Sequence, residues 1–298
     1  MSHGILLATL AGLGGMLGWG TADFFAKKSI DEVGDIVSLV WAHVAGAVIL
    51  IAFATVAVAT GRHSISLPTS TYTWAGLAFF GALQAAVYLF VYIGFGKGQV
   101  SILNPVFASF SGFVALISIV FLGEAVTAIG VGALVVLFMG ILLISIDLSA
   151  LRVFRLQVVL GFREIAIATI LATIWTLGWN KFVSAKDGLS FAIWMYLAMT
   201  VALLIYAAVR RIPLRFDNPK IWKFLLLIGL FEAVGYVAIS LGYAGTSHTS
   251  LIALLSGGFS LPTLFLARLF LRERLLATQV IGGLVIVGAV MLLALAWP

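Results

Sequence analysis

Apolar residues in this chain gather into long, almost unbroken runs, with polar residues confined to short gaps between them. Ten runs approach or exceed the roughly 20 residues that a helix needs to cross a bilayer. They are 4–26, 36–60, 73–95, 100–122, 126–146, 157–180, 190–209, 221–243, 247–271 and 275–297. The ~10-residue alternating segments of a membrane barrel do not occur. The longest gaps, 61–72 and 210–220, carry the Pro, Ser, Thr and charge of turns in water. The pattern predicts an all-α integral membrane protein with ten transmembrane helices, numbered here in chain order. The first run is too long for the apolar core of a signal peptide and has no Lys or Arg ahead of it, so it is expected to persist as helix one.

The runs also repeat. Gly81, Gln84, Ala85 and Tyr88 in helix three line up with Gly229, Glu232, Ala233 and Tyr236 in helix eight. At the same offset Gly94 meets Gly242. After a one-residue slip, Gly96 meets Gly245, Ser101 meets Ser250, Phe110-Ser111 meets Phe259-Ser260, and Glu124 meets Glu273. Near the two starts, Trp19 in helix one is mirrored by Trp175 in helix six. Two five-helix halves follow, and an odd number turns the second half upside down relative to the first. Inverted repeats suit alternating access around a central site.

Composition narrows the class. Hydrophobic residues make up 63% of the chain and charged residues 9%, against roughly 25% charged in soluble domains. A soluble fold could not cover so much apolar surface. The net charge of +6 does not mark a nucleic-acid binder, because the basic residues sit between apolar runs rather than on one face. Of the 17 Lys and Arg, only Arg62, Lys181 and Lys186 fall on the side that holds both termini. The basic side is expected to face the cytoplasm, leaving both termini outside. With no cysteine, thiolate sites and disulfides are excluded. No Walker loop, zinc motif or nucleophile elbow is present. The expectation is no enzyme, no cofactor and no metal, with any energy drawn from an ion or substrate gradient.

Three motifs then point to a family. They are Gly18-Trp19-Gly20 in helix one and two short hairpins, Phe121-Leu122-Gly123-Glu124 and Leu271-Arg272-Glu273. In each hairpin a glutamate opens the last helix of its half, and the second is followed by Gln279, Gly282 and Gly288. With the ten helices and two halves, the chain resembles the drug/metabolite transporter superfamily, of the type with two EamA domains, and is similar to bacterial amino-acid and metabolite exporters. The first half departs from the pattern, with Gly130 and Ala133 where the second has Gln279 and Gly282. The resemblance implies one domain over 3–147 and an inverted one over 156–297. It also implies a secondary carrier, often an exporter, of amino acids, other metabolites or drugs, in a prokaryotic inner membrane.

Ionisable residues deep in a membrane are functional candidates by default. Glu232 is the clearest, near the middle of helix eight, with Gln84 at the matching depth in helix three. Tyr88 and Tyr236 follow four residues on, hence on the same faces. With Trp19 and Trp175 as pocket walls, these six are the candidate substrate-binding residues. Glu232 doubles as a candidate proton carrier or partner for a substrate ammonium. Other residues read as structural. Asp23 is expected to pair with Lys27 at the interface. Arg163, about two turns into helix six with Glu164, is expected to snorkel there. Glu124 and Glu273 are expected to cap helices five and ten, and Trp179 to join an interfacial belt. His43 reads as a helix contact and Thr246–Ser250 as N-caps. Asn104-Pro105 and Pro262 are candidate hinges. The glycines of helix one give small-xxx-small spacing for close packing. The partners expected are a small-molecule substrate and the lipid bilayer, with no nucleic acid, and a monomer suffices. An amino-acid carrier leads; a cationic-drug exporter or a lipid flippase on the same fold are the rivals.

Overall fold

The computed structural model describes residues 3–97, 103, 106–145, 160–272 and 275–296. Its elements are α1 (His3–Val33), α2 (Asp35–Ala59), α3 (Thr71–Lys97), α4 (Phe110–Val120), α5 (Ala128–Ser145), α6 (Phe162–Val183), α7 (Gly188–Val209), α8 (Trp222–Gly245), α9 (Thr249–Gly257), α10 (Ser260–Leu266) and α11 (Ala277–Ala296). No strand occurs among the described residues. Among the described residues, seven helical stretches are long and apolar enough to cross a membrane. Three shorter apolar helices, Val106–Val120, Ala128–Ile144 and Ala277–Leu292, stand where runs four, five and ten were predicted.

Several ends differ from the sequence reading. Helix α1 runs to Val33 and stops at Gly34, whose φ of 85° is open to glycine and strained for other residues. Asp23 therefore sits well inside the helix, and the side chain of its expected partner Lys27 lies outside the described residues. Helix α6 starts at Phe162 rather than 157, so Arg163 and Glu164 stand in its first turn, not two turns deep. The ninth run is interrupted at Gly258–Phe259, between α9 and α10. Pro262 has no N–H to give the Gly258 carbonyl, and Leu261 N–H takes that carbonyl instead at 2.9 Å. Ser101, the Asn104-Pro105 hinge and Glu273 lie outside the described residues.

Helix α1 packs mainly on α8 and further on α9 and α10. Its glycines make this possible. A Cβ on Gly14 would stand 2.6 Å from the Ala238 side chain, and one on Gly18 would stand 2.6 Å from the Phe231 carbonyl oxygen. The remaining contacts form a pattern. Pairing α1 with α8 recurs as α6 with α3, and α8 with α2 recurs as α3 with α7. Contacts of α2 with α7, α4 with α9, and α5 with α11 cross between the two halves of the chain. Large apolar side chains such as Phe53, Phe79, Phe113, Val135 and Leu284 are left exposed. In water so much bare hydrocarbon is a liability, whereas a bilayer solvates it.

Candidate functional site

The site is built where helices come closest. At the crossing of α2 and α8 there is no room for a side chain on either partner: a Cβ on Gly46 would stand 2.8 Å from the Gly229 carbonyl oxygen, and one on Gly229 would press on the Ala42 carbonyl. One turn away on each helix stand His43 and Glu232, which this contact sets face to face. Nε2 of His43 is 3.2 Å from Oε2 of Glu232, with both side chains buried. The two atoms are within ion-pair distance but Nε2 has no aligned hydrogen-bond partner. On the other ring nitrogen, Nδ1–H donates to the Leu39 carbonyl at 2.8 Å.

Tyr236 is the hub of the cluster. Its hydroxyl accepts from the Gln84 amide Nε2 at 2.7 Å. Trp19, Trp175 and Tyr196 meet its ring edge-on at 5.5, 5.9 and 5.6 Å, and Tyr88 lies at 6.5 Å. The Trp19 ring fits there because Gly235 has no Cβ; one would come within 2.8 Å of the indole. Nε1 of Trp175 donates to the Phe80 carbonyl at 3.0 Å. Tyr196 stacks on His43 at 5.5 Å, and its hydroxyl reaches Glu232 at 3.5 Å, the limit of a hydrogen bond. The structure thus brings Trp19, Gln84, Tyr88, Trp175, Glu232 and Tyr236 into one cluster drawn from α1, α3, α6 and α8. Two polar atoms in it have no partner among the described residues: the Gln84 amide oxygen and the Trp19 indole N–H. Buried polar groups normally find one, so both are available to a ligand.

Sequence reasoning missed two members, His43 and Tyr196. Both come from the second helix of each matched stretch of the chain, α2 and α7, where no motif drew attention. Asp23 stands one turn beyond Trp19 on α1, near enough to Glu232 for the two carboxyl groups to be electrostatically coupled. It belongs to the neighbourhood of the site rather than to an interfacial pair alone. Arg163 does not: it is exposed at the start of α6. Beside it Glu164 accepts from the Lys97 ammonium at 2.8 Å, tying α6 to the end of α3. Trp179 departs from the interfacial expectation. It is fully buried, donates to the Ser240 hydroxyl at 3.0 Å and stacks on Trp175 at 5.9 Å.

The rim near the N-terminus corrects another expectation. Glu124 does not cap the helix it precedes; Thr127 does, accepting from Gly130 N–H at 3.0 Å. Glu124 reaches instead to the start of α9, where Ser250 N–H and hydroxyl donate to it at 2.9 and 2.6 Å. A carboxylate at a helix N-terminus is well placed electrostatically. Burial raises the Glu124 carboxyl above its usual range, and the Ser250 hydrogen bonds offset part of this. Thr246 caps locally, accepting from His248 N–H at 2.9 Å. A surface cavity of about 360 Å³ is lined by Phe265, Arg268, Leu269 and Arg272; none of these belongs to the cluster.

The model of the EamA-like transporter family matches residues 4–146 and again residues 161–295. A protein of known crystal structure superposes with a TM-score of 0.76 at 17% identity, over 97% of this chain and 98% of that one. At that identity the likeness concerns the fold alone. No curated protein matches the sequence.

Proposed function

Because the chain belongs to the EamA-like transporter family, we propose that it is a secondary active transporter moving small amine-bearing metabolites, amino acids first, by alternating access. The observation that carries this reading is the buried cluster. A carboxylate, an imidazole, an amide oxygen and an indole N–H without protein partners converge among aromatic rings. An ammonium fits against Glu232 and the Gln84 oxygen, and the rings of Trp19, Trp175 and Tyr236 suit an apolar or cationic body. Ten spans in two inverted five-helix repeats, 3–147 and 156–297, complete the proposal. The recurrence of helix pairings on exchanging the halves supports it, as does the matching of the family model to each half. The basic gaps support an orientation with both termini on the non-cytoplasmic side; a prokaryotic inner membrane and outward transport belong to the proposal through the family resemblance. One chain supplies both halves, so a monomer suffices.

A second reading, export of cationic amphiphiles, is favoured by one observation. Among the described residues no Lys or Arg joins the cluster, and Arg163 stands exposed at the start of α6. A zwitterion then has only His43 and the Trp19 N–H for its carboxylate.

Counterflow in proteoliposomes tests the proposal. Vesicles preloaded with pooled amino acids are expected to take up labelled amino acid saturably, and Glu232→Gln to abolish that uptake and its response to unequal pH. No exchange by well-folded wild type would remove amino acids from consideration and bring organic cations forward. Undiminished exchange by the variant would make Glu232 a packing residue.

A further inference from the structure

His43 alters the chemistry available to Glu232. Nδ1 must carry hydrogen, because its neighbour is the Leu39 carbonyl, which only accepts. Nε2 alone is left to gain or lose a proton, and it stands 3.2 Å from the Glu232 carboxyl. The Tyr196 and Tyr88 rings hold the imidazole, at 5.5 and 5.3 Å. The Gly46–Gly229 contact fixes the spacing of the helices that carry the pair. The titratable groups facing Glu232 are Asp23 from α1, His43 from α2, Tyr88 and Tyr92 from α3, Tyr196 from α7, and Tyr236 on its own helix.

A lone buried charge is costly. With one proton between them, however, His43 and Glu232 are neutral overall, whether as imidazole and carboxylic acid or as imidazolium and carboxylate. A monocation arriving at Glu232 upsets that balance, and the departure of one proton restores it. A zwitterion does not upset it, since its ammonium faces the carboxylate and its own carboxylate faces the protonated Nε2.

We propose that His43 and Glu232 hold a single proton between them, which a monocationic amine expels one for one and which a zwitterion leaves in place. The expelled proton is released to water. The unpartnered Gln84 oxygen accepts from the ammonium in both cases, and the Trp19 N–H serves the carboxylate of the zwitterion. This deepens the transporter reading and rests on it: an amine becomes a proton-antiported cargo, an amino acid an uncoupled one.

Titration calorimetry of the full chain, in two buffers of different ionisation enthalpy, reads binding and proton release together. The probes are phenethylamine and phenylalanine, which differ by one carboxylate. Wild type is expected to release one proton per phenethylamine bound and none per phenylalanine. Glu232→Gln should abolish the release. His43→Gln should displace the pH profile of phenethylamine binding and weaken phenylalanine by about tenfold. Equal proton release by both probes, or by neither while they bind, overturns the proposal and leaves the transporter reading standing. A His43→Gln protein with the wild-type pH profile and phenylalanine affinity also overturns it. If wild type binds neither probe, the amine-cargo reading itself fails. The wild-type proton counts decide the matter even where a variant does not fold.

Discussion

Two histidine–carboxylate pairs stand at the same 3.2 Å separation in this molecule, and they behave as opposites. His43 and Glu232 are 0% and 3% exposed between α2 and α8. His63 and Asp187 are 37% and 22% exposed, where the loop before α3 meets the start of α7. The wet pair is one strand of a polar clasp. Asp187 also accepts from the hydroxyls of Ser66 and Ser190 and from Ser190 N–H. Burial works against its charge, but those hydrogen bonds and His63 hold its carboxyl below the usual range. Water can solvate either member of this pair if the other is lost. Nothing comparable serves the buried pair, whose members must answer each other's charge. Equal distance therefore says little; the dielectric and the neighbours decide.

The largest effect should come from breaking the buried pair. Glu232→Ala leaves His43 and the Tyr196 hydroxyl facing a void, and a loss of about 3–5 kcal/mol is expected, read as thermal unfolding in detergent together with abolished counterflow. Next comes the crossing that holds the pair. Gly229→Leu must push the Ala42 carbonyl aside, costing about 1–3 kcal/mol. Gly81→Leu, which would press on α7 near Met199, should cost as much. The comparison sharpens in the pH response of transport, which Gly229→Leu is expected to disturb and Gly81→Leu to preserve. Tyr236→Phe strands the Gln84 amide and should cost about 1–3 kcal/mol. Tyr196→Phe, losing only a 3.5 Å contact, should cost well under that, by the same unfolding assay.

The smallest effect belongs to the wet pair. With its carboxyl held low, Asp187 adds stability above the ordinary carboxylate range and loses it as pH falls through its lowered value. Wild type and Asp187→Asn should differ by no more than about 1 kcal/mol at neutral pH. Their melting temperatures should converge below about pH 4. Divergence at low pH would show that the clasp does not depend on the charge.

Much of this was legible in the sequence, for reasons that also mark where legibility ended. Long apolar runs declare membrane helices because only helices and closed barrels satisfy the backbone in hydrocarbon, and barrel strands are short and alternating. Gln84, Tyr88, Glu232 and Tyr236 could be found because identical spacings in two helices align. His43 and Tyr196 share no residue type, so no alignment of letters pairs them. An offset between those of Trp19/Trp175 and Gln84/Glu232 would have placed them opposite each other. Helix ends were misjudged where polar residues continue a helix, as over Lys28–Val33. Glu124 was misassigned because a cap was sought on the nearest helix, and its partner Ser250 is distant in sequence. Trp179 was misplaced because tryptophan's preference for interfaces says nothing about a particular Ser240 hydroxyl.

The packing of α1 bears on how the protein is made. This helix is synthesised before the partners it fits: the surface cut by Gly12, Gly14 and Gly18 packs on α8 and α9, far along the chain. Until those helices arrive, the notched face has only lipid or the insertion machinery against it. A chain lacking α8 and α9 would thus leave the notched face of α1 without the surfaces it fits. Completion of the fold is a late event, and the N-terminal helix waits for it.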